Sequence, residues 1–342
     1  MESRPISANT AAIVLAAGKG TRMKSDIPKV LHRVCGKPML SRILRILDQA
    51  GINRSCLVLS EETSAFSDLL KKQLTAVIQH KRLGTGDAVA AAACGFIGES
   101  VPSYSAGSLW SGEPLNHDFV LICAGDTPAL DPQVLQDFVI QCQSAQATLG
   151  VIGMIHPQPT GYGRLILDKQ QRLQKIVEEK DADTATKQIT LCNSGVIFAK
   201  RSYLFQCLQN LSNDNAQQEY YLTDCFQMAA EQGQAAFVYQ TSNYQSFNGV
   251  NQRSQLAAIE QWLMQQRREA LMVEGVSFHL PDTCYLEDDV HIGADTDIGA
   301  HCSFTGRTRI GRRCIIGSHC CLHNVDIADG EVLVPGTIRI NP

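Results

Sequence analysis

A six-residue period near the C-terminus narrows the fold more than any other feature of the chain. Ile292, Ile298, Phe304, Ile310 and Ile316 recur at that spacing, and glycine follows four of these five, at Gly293, Gly299, Gly311 and Gly317. Two residues before the next apolar position the cycle places Thr296, Cys302, Thr308, Cys314 and Cys320. This is the hexapeptide repeat of a left-handed parallel β-helix, in which the aliphatic and the small residue both point into a narrow triangular core. Two to three coils can be built before "VLVPGTIRINP".

The same register answers a metal question. His291, His301, Cys302, Cys314, His319, Cys320, Cys321 and His323 resemble a ligand cluster when read by composition alone. On the repeat, Cys302, Cys314 and Cys320 take the small inward position, the histidines fall mostly outward, and no four-ligand zinc spacing appears. A packed coil is the expectation. The chain's thirteen cysteines are scattered without a CxxC pair or a signal peptide, so reduced and buried thiols are expected rather than a disulfide framework.

From Ala11 to about Val250 the pattern changes to β-rich runs alternating with amphipathic stretches. "AAIVLAAG" reads as strand and loop, "PMLSRILRILDQAG" as helix, "RSCLVLS" as strand, "SAFSDLLKKQL" as helix and "TAVIQ" as strand. "GDAVAAAACGFI" then reads as helix, and "DFVLICAGDTPAL" as strand and loop. That order implies a parallel sheet with right-handed crossovers, whose ligands sit where strands end and loops begin. "LAAGKGTR" and "ICAGD" should therefore face one cleft. "SYSAGSLWSGEPLNH", rich in Ser and Gly and carrying Trp110, reads as an exposed loop.

A formal charge of −4 offers no global field for nucleic acid or anionic lipid. "MESRPISANT" lacks the apolar core of a signal peptide, and no run approaches a membrane span. The expectation is a cytoplasmic protein with neither nucleic-acid nor membrane partners.

"LAAGKGTRMKSDIPK" has the glycines and cations of a phosphate loop, yet fits neither the P-loop nor the dinucleotide fingerprint. Spacing alone admits two readings. One is an anion-binding nest with Arg22 and Lys29 on phosphate; the other is a strand-to-helix turn with a solvated basic edge.

Here the sequence resembles a family. "LAAGKGTRM…PK" is similar to the signature of the nucleoside-diphosphate-sugar pyrophosphorylases. "PKVLHRVCGKPML", "LGTGDAV", "AGDTPAL", "GYGRLI", "IVEEKDA", "NSGV", "EYYLTD" and "GVNQR" follow in order, and then comes the β-helix. Together they resemble the bifunctional N-acetylglucosamine-1-phosphate uridylyltransferase/glucosamine-1-phosphate acetyltransferase family over nearly the whole chain. The resemblance implies an α/β fold: a Rossmann-like nucleotidyltransferase domain with a mostly parallel sheet, followed by a short left-handed parallel β-helix. It divides the chain into a tail (1–10), a nucleotidyltransferase domain (11–252), a linker helix (253–273) and the β-helix (274–342).

By the same resemblance Leu15, Ala16, Ala17 and Gly18 line the nucleotide site, and Gln79, Gly84 and Thr85 read the uracil. Arg22 and Lys29 hold the phosphates, and Asp126 and Asn251 are Mg²⁺ ligands. Gly163, Glu178, Asn193 and Thr223 bind the N-acetylglucosamine moiety, with Tyr221 close by. Taken singly these residues have plainer readings: Asp126 as a turn former, Asn251 as a helix cap, Glu178 as part of a solvated charged run. The implied substrates are UTP and N-acetylglucosamine 1-phosphate, and the implied product UDP-N-acetylglucosamine feeds the cell envelope. A homotrimer through the β-helix is implied as well. The sequence departs from the family at Ala124, where some members carry an aromatic or hydroxyl side chain. It also departs in its short β-helix, because the acetyl-CoA pocket and catalytic histidine of the family lie on later coils. Acetyltransferase activity is therefore expected to be absent, and His291, His301, His319 and His323 are not expected to replace it.

Overall fold

The computed structural model describes residues 9–64 and 74–342. They fall into two compact units, one built from residues up to Leu31 with Met39–Asn251, the other from His32–Pro38 with Gln252–Pro342. The helix expected over "SAFSDLLKKQL" lies almost wholly on residues 65–73, outside those described.

The first unit holds one mixed sheet. Its strands are β1 (Thr10–Leu15), β2 (Ser55–Leu59), β3 (Thr75–Gln79), β4 (Gly107–Ser111) and β5 (Phe119–Ala124), then β6 (Leu149–Ile155), β7 (Arg164–Leu167), β8 (Leu173–Val177), β9 (Leu191–Lys200) and β10 (Ala236–Thr241). The spatial order is β8-β7-β9-β5-β1-β2-β3-β4, with β6 pairing β9 and β10. β5, β1, β2 and β3 are parallel neighbours, as expected from the alternating pattern. Their runs of Val, Ile, Leu and Ala are buried on both faces, which suits strands covered by helices on each side. β9 then joins antiparallel to β5 and β6.

Helix α1 (Met39–Gln49) turns Met39, Leu40, Ile43, Ile46 and Leu47 inward at helical spacing, and Gly51 follows it in a left-handed conformation. Helix α2 (Thr85–Ala91) tightens into a 3₁₀ turn over Ala92–Gly95. Its run of alanines lets it lie close to the sheet; a Cβ added at Gly95 would come within 2.6 Å of Cys56 Sγ.

The Ser/Gly-rich stretch 103–117 is not wholly loop: β4 lies inside it and pairs antiparallel with β3 at the sheet edge. Leu109 and Trp110 on this strand are exposed, so polar composition and a missing buried face hid it.

In the second unit, helix α3 (Arg253–Val273) is capped by Gln252, whose side chain and that of Gln255 satisfy each other's backbone N–H groups. Short strands then wind in coils. Ser277–Phe278, Asp297–Ile298, Ile315–Ile316 and Val332–Leu333 form one face, and Tyr285–Leu286, Ser303–Thr305, Cys321–His323 and Ile338–Ile340 a second. His291–Ile292, Arg309–Ile310 and Asp326–Ile327 form the third. This makes three full coils and two sides of a fourth, more than the two to three expected. The first coil lacks hexapeptide spacing, and Leu322 to Ile327 is five residues, so the periodic pattern alone undercounts.

Thr296, Cys302, Thr308, Cys314 and Cys320 all point inward and are buried. Their side chains also bond between coils: Thr296 Oγ1 donates to Gly311 O at 2.8 Å and Cys314 Sγ to Ala328 O at 3.1 Å. All thirteen cysteines are free thiols. His291, His301 and His319 are exposed, and His323 Nδ1 lies 2.9 Å from the Thr305 hydroxyl. Among the described residues no helix is long and apolar enough to cross a membrane.

Candidate active site

β1 and β5 end side by side, with Leu15 opposite Ala124 in register. Gly125 N–H donates to Leu15 O at 2.8 Å, and a Cβ there would sit 3.1 Å from that oxygen. The loops after the two strands therefore start together. Within the first loop Gly20 has φ +60°, and any Cβ would lie 2.6 Å from Lys29 Cβ. Glycine at this position lets the loop fold back on Lys29. Lys29 opens a 3₁₀ turn whose Val30 and Leu31 are buried, so its backbone is anchored from the other side.

Lys29 Nζ is ion-paired with Asp126 Oδ2 and donates to Asn251 Oδ1 at 3.1 Å. Arg22 Nη2 donates to the same Asn251 oxygen at 3.0 Å. The backbone fixes the spacing of the two acceptors, because Val250 N–H donates to Asp126 O at 2.9 Å. A Cβ at Gly249 would be 3.7 Å from Asp126 Oδ1. Arg22, Lys29, Asp126 and Asn251 thus form one cluster.

Beside it opens a cavity of about 530 Å³ lined by Leu15, Ala17, Gly18, Lys29, Gln79, Gly84, Thr85 and Asp126. Ala16 is buried instead and donates its N–H to Val58 O at 2.8 Å, which ties the loop to β2. Gly84 has φ +113°, and a Cβ there would overlap Tyr220 O at 2.6 Å. The same carbonyl accepts from Gly86 N–H at 2.7 Å, and Tyr220 N–H donates to Leu83 O at 2.6 Å. The glycines of "LGTGD" therefore make room for the 219–223 segment. Thr85 Oγ1 accepts from Leu222 N–H at 3.1 Å and completes that seam.

The segment carries the site onward to a second group. Thr223 Oγ1 donates to Glu178 Oε1 at 3.0 Å. A Cβ at Gly163 would lie 3.3 Å from Glu178 Oε2, and Gly163 O accepts from Asn193 N–H at 2.8 Å. Gly163, Glu178, Asn193 and Thr223 are thus brought together. Glu178 and the buried Tyr221 line a second cavity of about 450 Å³. Burial pushes the Tyr221 hydroxyl pKa up, with Asp181, Glu178 and Glu219 adding to it.

Burial also raises the Glu178 pKa above its ordinary 4.5; the Thr223 hydroxyl opposes the shift, and Asp224, Asp181 and Glu219 reinforce it. A carboxyl raised in the folded state binds more protons there than when unfolded, so stability falls as pH rises from 4.5 through the folded value. Glu178→Gln should gain stability over wild type between pH 4 and pH 7. Thermal melts at both pH values check this, and equal differences at the two would contradict it.

Two residues that sequence reasoning passed over belong to this frame. Asp87 is fully buried beneath Gln79, and Arg164, 1 % exposed, supports the backbone beside Gly163. The available signals were an acid in an alanine-rich helix and a cation inside the apolar run "GRLIL".

The MobA-like NTP transferase domain model matches residues 12–189. The bifunctional protein GlmU of Geotalea uraniireducens is 36% identical over 335 residues, covering 97% of this chain and 70% of that protein. GlmU of Pelobacter propionicus is 37% identical over 339 residues, with the same coverage of each. The chain belongs to the GlmU family. It is a nucleotidyltransferase acting on a nucleotide and a sugar phosphate. A solved structure from Bacillus anthracis, described as a glucose-1-phosphate thymidylyltransferase in complex with sucrose, aligns with a TM-score of 0.57 at 16% identity. It covers 73% of this chain and 94% of its own, and shares the fold.

Proposed function

We propose that the chain transfers UMP from UTP to N-acetylglucosamine 1-phosphate, giving UDP-N-acetylglucosamine and pyrophosphate. The observation that carries this reading is the Arg22, Lys29, Asp126 and Asn251 cluster, whose Lys29 and Asp126 line the same cavity as Gln79, Gly84 and Thr85.

The nucleophile is a phosphate oxygen of the sugar 1-phosphate, ionised at neutral pH, so no general base is needed. Two polyanions must instead be aligned and their charge neutralised at the α-phosphorus. Arg22 can grip phosphate oxygens with paired N–H groups, and Lys29 adds a compact positive charge. Attack and departure are in line, and the configuration at the anomeric carbon is unchanged.

Asp126 Oδ2 and Asn251 Oδ1 converge on the Lys29 ammonium, a hard-oxygen pair already holding one cation between them. Such a pair fits Mg²⁺, whose remaining positions suit water and phosphate oxygens. Bound there, the ion would neutralise charge on the triphosphate. Chelation is expected to abolish turnover and Mg²⁺ to restore it.

Initial rates with UTP, dTTP and CTP against several sugar 1-phosphates test the substrate assignment; a clear preference for another pair would overturn it. His291, His301, His319 and His323 line neither of the two cavities described above. No free thiol is expected from acetyl-CoA with glucosamine 1-phosphate, and its release would contradict that.

Lys29→Ala should lower kcat about 10²-fold, as loss of one positioned charge at a phosphoryl group does. Asp126 would then lose its paired cation but keep its backbone bond to Val250, so the melting temperature should change little. A kcat within a few-fold of wild type would remove Lys29 from the mechanism.

A further inference from the structure

We propose that Asp87 sets the base selectivity of the nucleotide cavity by fixing which end of the Gln79 amide faces it. This rests on the uridylyltransferase reading above and adds a positioning residue to it.

Asp87 is 0 % exposed and Gln79 5 %. Asp87 Oδ2 accepts from Gln79 Nε2 at 2.5 Å and from Leu83 N–H at 3.3 Å. The backbone N–H can only donate, so Oδ2 acts as an acceptor and must meet the amino end of Gln79. Oε1 is then the end left to an amide that lines the cavity. A fixed carbonyl acceptor suits an imide N–H such as N3–H of uracil or thymine. Cytosine offers a lone pair at N3, which would oppose it.

Stability does not account for Asp87. Its Oδ1 is buried with no partner among the described residues, a cost that an apolar side chain of similar volume would avoid. Its neighbours Ala88, Val89 and Ala90 are buried and apolar. What the carboxyl gains in return is the pair of bonds to Gln79 and to the Leu83 backbone, at the turn that leads into Gly84 and Thr85. A freed Gln79 could rotate and present either a donor or an acceptor, so discrimination between the bases would fall.

The test is the ratio of kcat/KM for UTP over CTP in wild type, Asp87→Leu and Asp87→Asn, with melting curves for each. Asp87→Leu should lose about tenfold or more of the ratio, the scale set by an unpaired polar group in a binding site. Asp87→Asn, whose Oδ1 can take the place of the Asp87 acceptor, should stay within about threefold of wild type. Should Asp87→Leu fail to fold, Asp87→Ala, which removes the acceptor without added bulk, serves the same comparison. A wild-type preference for UTP with an unchanged ratio in the Leu or Ala variant overturns the role of Asp87 alone. An equal loss in the Asn variant overturns it too, because a merely structural defect would act on both. A wild-type preference for CTP overturns the uridylyltransferase reading and this inference together.

Discussion

Asp126→Ala is expected to reduce kcat by about 10³-fold while the protein stays folded, the range seen when a group that organises charge at a reacting phosphoryl or acyl centre is removed. The side chain is ion-paired with Lys29, and with Asn251 Oδ1 it forms the oxygen pair proposed for Mg²⁺. Its backbone carbonyl, which holds Val250, is untouched by the substitution. The melting temperature should therefore move little, and added Mg²⁺ should not rescue the rate. Steady-state kinetics over a range of Mg²⁺ concentrations check this. A kcat near wild type would dissolve the proposed cluster.

Arg164→Met should have the largest effect on stability. The guanidinium is almost wholly buried; Nε donates to Ile189 O at 3.1 Å, Nη2 to Lys187 O at 3.2 Å, and Nη1 to Tyr162 O. Nη2 also lies 2.8 Å from Glu179 Oε2. Truncation strands three carbonyls and a carboxylate, a loss of about 3 kcal/mol or more. Because Arg164 ties the 187–189 turn to the strand after Gly163, a raised KM for the sugar phosphate should accompany it. The pH dependence gives a second readout. Burial raises the Glu179 pKa, but the Arg164 hydrogen bond, the Gly161 N–H and the charges of Arg164 and Lys187 outweigh it, and the net shift is below 4.5. A lowered folded pKa adds stability above 4.5 that is lost as pH falls. The gap between wild type and variant should shrink in acid. A gap that is constant with pH would mean the ion pair contributes nothing.

The β-helix was legible because its inward positions repeat in sequence as they do in space. Thr296 and Cys314, Cys302 and Cys320, and Thr308 take the equivalent inward position before the strand on each of the three faces, so period alone assigns them. The parallel centre of the sheet was legible for a similar reason: strands buried on both faces read as continuous apolar runs. β4 was not, because its adjacent Leu109 and Trp110 are both exposed and no alternating buried face marks the edge strand. Lys29 lies 97 residues from Asp126 and 222 from Asn251, and Arg22 lies 229 from Asn251. No local spacing rule spans such distances; strand order set the Arg22 loop and the Asp126 loop at one cleft, and only the resemblance between whole motifs added Lys29 and Asn251 to them. Asp87 illustrates the remaining gap. An acid in "GTGDAVAAAA" looks like a surface residue near a helix start, and only the packing of α2 against the sheet turns it toward Gln79.

The most direct measurement is pyrophosphate release by the purified protein with Mg²⁺, UTP and N-acetylglucosamine 1-phosphate, run beside Asp126→Ala. Rapid release by wild type, dependent on all three components and lost in the variant, is the result this account predicts. Release that persists without Mg²⁺ or in the variant, or no release with this pair and turnover with another, would contradict it.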